Sequence, residues 1–145
     1  MDIDTTPQTN PKPTSKTLTL TSATLSHPPF AYAQLALAPT TDGPHPPIPL
    51  DALQARSYLT AALRQFLGAT GAAIPLDILL VQDSSVWVRM PQPDLAAFAA
   101  AVTAFSGLPS SSTTAGGTML LQLRACGDWL GSLIGREEEG GLWTA

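Results

Sequence analysis

From Phe30 to Leu37 the chain reads FAYAQLAL, with polar-capable and small or apolar positions in alternation. A strand sends successive side chains to opposite faces, so Phe30, Tyr32 and Gln34 share one face. Ala31, Ala33, Leu35 and Leu37 share the other. The strand predicted over PFAYAQLALAP ends at TTDGPHPPIP, because proline cannot donate to a ladder. The period then changes. In LDALQARSYLTAALRQFLG, Leu59, Ala62, Leu63, Phe66 and Leu67 recur on one helical face. Asp51 is the expected N-cap and Gly68 the expected stop. AAIPLDILLVQ and VWVRM predict two strands of a hairpin joined at Asp83-Ser84-Ser85. PDLAAFAAAVTAFSG predicts a second helix, with Pro93 and Asp94 suited to its first turn. Its inward residues are Leu95, Phe98, Ala99 and Val102, with Phe105 or Ser106 next, and Gly107 closes it. After LPSSSTTAGG, a surface loop of low complexity, TMLLQLRAC predicts a fourth strand and DWLGSLIG a short terminal helix.

The order strand, helix, strand, strand, helix, strand predicts an α+β, ferredoxin-like βαββαβ two-layer sandwich with an extra C-terminal helix. The expected organisation is a flexible N-terminal tail over 1–28, the sandwich over 29–135 and an acidic tail over 136–145. Within the N-terminal tail, TLTLTSATL alternates well enough to pair as an edge strand. With the first and third strands innermost, Phe30, Tyr32, Trp87 and Arg89 meet on the face that the helices do not cover. Gln122 and Arg124 are expected to flank them from the fourth strand.

Charge narrows what that face could bind. Charged residues make up 12% of the chain and the net charge is −4. Lys12 and Lys16 lie in the tail, so from Asp51 onward the sandwich carries Arg56, Arg64, Arg89 and Arg124 against Asp51, Asp77, Asp83, Asp94 and Asp128. No basic stripe of the kind that drives autonomous binding to phosphate backbones is present. Cys126 is the sole cysteine, which excludes an intrachain disulfide and a thiolate zinc site. No window approaches the ~20 apolar residues of a membrane span, and MDIDTTPQTNPKPTSK has no apolar stretch of a secretory signal. The chain reads as a soluble intracellular protein.

Catalytic signatures do not converge. His27 and His45 both sit in HPP loops, and most aspartates stand at helix starts and turns, where capping accounts for them. Asp77, inside a strand, is expected to face solvent or pair with an arginine. GATGAAI lacks the GxxxxGK of a phosphate loop and reads as a helix stop followed by a tight turn. No catalytic residue, metal set or cofactor is assigned. The sheet face remains open to three occupants. RNA bases could stack on Phe30, Tyr32 and Trp87 beside Arg89 and Arg124. A protein partner could cover it. The terminal helix could fold back with Trp129, Leu130, Leu133 and Ile134, four apolar residues in six positions. The interface candidates are therefore Phe30, Tyr32, Trp87, Arg89, Arg124 and Trp129. Trp143, near the chain end, is either a docking anchor or an accident of composition.

LDALQARSYLTAALRQFLGATGAAIPLDILLV, VWVRMPQPDLAAFAAAV and GDWLGSLIG together resemble the smallest protein subunit family of fungal ribonuclease P and ribonuclease MRP. That family is related to the small α/β subunits of eukaryotic and archaeal ribonuclease P. The resemblance spans roughly residues 28–135 and lies in fold-forming positions. It implies the sandwich already derived and a non-catalytic subunit of a ribonucleoprotein whose RNA is catalytic. It further implies a role in precursor-tRNA 5′ processing and precursor-rRNA processing through protein–protein assembly. The implied partner is a larger paralogous α/β subunit along with other proteins of the particle, with RNA contact secondary. The implied compartment is the nucleus, with the nucleolus foremost. A stand-alone RNA-binding module using the open sheet face is the alternative.

Overall fold

The computed structural model describes residues 19–40, 48–109 and 118–134. Eight elements follow in order: β1 (Phe30–Pro39), α1 (Ala52–Ala72), β2 (Asp77–Gln82), β3 (Ser85–Pro91), a 3-10 turn (Gln92–Asp94), α2 (Leu95–Ala104), β4 (Leu108–Pro109) and β5 (Thr118–Gly127). Residues 130–134 add a helical turn. The sheet runs β2-β3-β1-β5-β4, with every pair antiparallel. β1 and β3 are central, as the ferredoxin-like order requires. The two-residue β4 lengthens that plan by one short edge strand.

The predicted alternation of β1 is the floor of the core. Ala31, Ala33 and Leu35 are fully buried with Val86, Val88 and Met90 of β3, beneath Leu59, Leu63, Phe98 and Val102 of the helices. Each large side chain buried this way stabilises the fold by about 1.5–3 kcal/mol. Small alanines on β1 let the helices lie close to the sheet.

Local signals set the ends of α1. The Asp51 carboxylate accepts from the Ala52 amide at 2.8 Å, and the Asp51 amide donates to Gln54 Oε1 at 3.3 Å, completing a capping box. At the far end Gly68 has φ 64° and ψ −144° and kinks the helix, a conformation essentially reserved for glycine. The chain then folds back so tightly that a Cβ on Gly71 would lie 2.5 Å from both Leu63 O and Leu67 Cβ. Gly68 thus breaks the long helix, but it does not end α1 as expected from the sequence: helix resumes after the kink and runs to Ala72 before the turn into β2. Phe66, assigned inward by its spacing, is 45% exposed, and Ala55 is buried in the same helix instead.

Two further expectations change. α2 ends at Ala104, and Phe105 adopts extended backbone (φ −72°, ψ 124°) while staying buried. Gly107, with φ 94°, then starts the path into β4. Residues 19–29 form no strand, and Leu20 and Leu25 are exposed. The N-terminal end of TLTLTSATL, the rest of LPSSSTTAGG beyond β4, His45, Trp143 and the acidic end lie outside the described residues.

Candidate interaction face

Register brings the candidates into rows across the bare side of the sheet. Tyr32 of β1 lies opposite Arg89 of β3, which lies opposite Asp77 of β2. One row along, Gln34 lies between Trp87 and Ala125. Leu80 of β2 stands on the far side of Trp87. Phe30 is opposite Pro91, at the end of the row system.

The face is closed over at its centre by the chain itself. Trp87, Ala125 and Leu133 form a second buried cluster, with Tyr32 and Leu130 packed against it. Trp87 is 7% exposed and Leu133 only 2%. The bend at residues 128–129 carries the chain from β5 back onto the sheet. Ser132 Oγ donates to Trp129 O at 2.7 Å across that turn, and Gln92 Nε2 donates to Asp128 Oδ1 at 3.5 Å. Of the four apolar residues in DWLGSLIG, Leu130 and Leu133 face the sheet. Trp129 and Ile134 remain about half exposed.

Arg89 is committed as well. Its Nη2 and Nε donate to Asp77 Oδ2 at 2.7 and 3.1 Å. Its guanidinium carbon sits 4.6 Å from the centroid of the Phe30 ring, a cation–π contact. The expected pairing of Asp77 with an arginine is therefore present. Arg124 has no register partner on β1. The β1–β5 register shifts between Gln34 and Leu35, so Ala125 pairs with Gln34 and Leu123 with Leu35. Arg124 is the extra residue of this bulge and is exposed. A bulge of one residue leaves no mark in an alternating pattern. A similar shift in β2 leaves Leu79 between Ile78 and Leu80, and both leucines are exposed.

The remaining chemistry is sparse. His27 Nδ1 is 3.2 Å from Ser26 Oγ at the surface, and Cys126 is exposed. Burial raises the Tyr58 phenol above its ordinary value. Among the described residues no group of three His, Cys, Asp or Glu side chains is arranged to hold a metal ion. Nor is any described helix long and apolar enough to cross a membrane.

Residues 29–105, more than half of the chain, match the model of the family described as ribonucleases P/MRP protein subunit Pop8. The chain belongs to this Pop8 family. The matched stretch runs from the residue before β1 through α2, so β5 and the turn that covers Trp87 lie beyond it. The fold is similar to that of a chain in the cryo-EM structure of yeast ribonuclease MRP, with a TM-score of 0.57 and 16% sequence identity. The likeness covers 81% of this chain and 97% of that one. Comparison with curated proteins returns no match. As a Pop8-family member the chain is an accessory protein subunit of the ribonuclease P/MRP ribonucleoprotein and not its catalytic unit.

Proposed function

We propose that the chain supports precursor-tRNA 5′ processing and precursor-rRNA processing by holding protein neighbours together inside the particle. Its main partner on this reading is a larger paralogous α/β subunit, and its compartment is the nucleus, chiefly the nucleolus. The observation that carries the reading is the state of the bare sheet face. Trp87 is spent on Leu133, and Arg89 is spent on Asp77 and Phe30. Apolar side chains remain exposed around them: Leu79 and Leu80 on the edge strand β2, and Trp129 and Ile134 on the terminal turn. Exposed apolar groups beside an unpaired strand edge favour protein over phosphate.

Purification of the tagged chain from cells, with ribonuclease digestion before elution, tests this. Protein subunits retained after digestion support a protein-held subunit. Their loss on digestion, or tight capture of RNA by the isolated chain, overturns it.

A further inference from the structure

The helical layer carries its charge unevenly. Between them α1 and α2 hold two charged side chains, Arg56 and Arg64, and no acid. The acids of that layer stand at its ends. Asp51 caps α1, and Asp94 lies in the 3-10 turn before α2. Arg56, Thr60 and Arg64 are spaced four apart, as are Leu53, Ser57 and Ala61, so two adjacent rows share the outer side of α1. These six residues line a shallow groove of about 480 Å³. Arg56 is held in place there, because its Nη2 donates to Leu76 O at 2.9 Å. That acceptor is a neutral carbonyl, so the charge of Arg56 is not cancelled. Arg89, by contrast, is neutralised by a carboxylate.

We propose that this groove is where the subunit touches the phosphate backbone of the particle's RNA, with Arg56 and Arg64 as the cationic contacts and Ser57 and Thr60 as hydroxyl donors. The proposal rests on membership of the ribonucleoprotein, and it goes beyond the protein-assembly reading. Two turns of helix separate the arginines by about 12 Å, so they would meet different phosphates of one strand. Two phosphate contacts are too few for the isolated chain to hold RNA at physiological salt. They suffice once protein neighbours fix the chain beside the strand, because the contact is then effectively intramolecular. The acidic net charge and an RNA contact are thus compatible.

The test uses the chain copurified with its protein partners. A photoreactive amino acid replaces Ser57, the assembled particle is irradiated, and the cross-linked species is identified. Separately, RNA retention is measured against salt for wild type, Arg64→Gln and Arg64→Lys. Arg64 is chosen because Arg56 also bonds Leu76. The expected results are a cross-link to RNA and, for Arg64→Gln, a salt slope shallower by roughly 0.7. Arg64→Lys keeps the wild-type slope. A cross-link to protein, no cross-link, or an unchanged slope for Arg64→Gln overturns the proposal. Copurification of the partners reads the assembly role independently, so failure of one does not imply failure of the other.

Discussion

Leu133 closes over Trp87 on the sheet face that the helices leave bare. The pair joins the helical turn at residues 130–134 to the inner strand β3, and it converts an apparent aromatic platform into a small second core. Leu133→Ala removes a side chain that is 2% exposed. The expected loss is about 2–4 kcal/mol, read by urea denaturation. In a background carrying Trp129→Phe and Trp143→Phe, the same change should shift Trp87 emission to the red.

Asp77 and Arg89 form the ion pair of that face, with 57% and 37% of their side chains exposed. Exposed pairs contribute little, because water already solvates both partners. Asp77→Asn should therefore change stability by less than about 1 kcal/mol. Its thermal melt should remain close to wild type at low and at high salt.

Gly68 and Gly71 are expected to respond differently to alanine. At Gly68 the cost comes from the backbone, with φ 64° and open space around the missing Cβ. Gly68→Ala should lose about 1–3 kcal/mol. At Gly71 a Cβ meets Leu63 O and Leu67 Cβ at 2.5 Å, so the turn itself must open. Gly71→Ala should be the more damaging of the two in equilibrium unfolding.

Burial of Tyr58 disfavours its phenolate, which raises its pKa above 10.0 in the folded chain. The folded value exceeds the unfolded one, so this contribution to stability is fully present below pH 10.0. It is lost as pH rises through the folded value. Absorbance titration should show a phenol step later than in the unfolded chain, and Tyr58→Phe should delete it.

Periodicity made most of this architecture legible. The alternation of Ala31, Ala33 and Leu35 against Phe30, Tyr32 and Gln34 gave the two faces of β1, and Asp51 marked the start of α1, while Gly68, read as its stop, is its kink. The order of elements was enough to place β1 and β3 at the centre. Other features depend on tertiary contacts that leave no local trace. The bulge at Arg124 puts Ala125 opposite Gln34, and the bulge at Leu79 turns two leucines outward. Phe66 has the spacing of a core residue, but it lies beside the Gly68 kink. The apolar turn after Asp128 was visible as a candidate cover, yet its sequence did not say that Leu130 and Leu133 would be the covering half and Trp129 and Ile134 the exposed half.

The central claim is that the chain's own terminal turn occupies the Trp87 surface and withholds it from RNA bases. The most direct measurement is a fluorescence titration of a Trp129→Phe, Trp143→Phe protein, in which Trp87 is the sole tryptophan, with single-stranded RNA. The account predicts blue-shifted emission that RNA neither quenches nor moves. Saturable quenching at micromolar RNA, steeply weakened by salt, would contradict it.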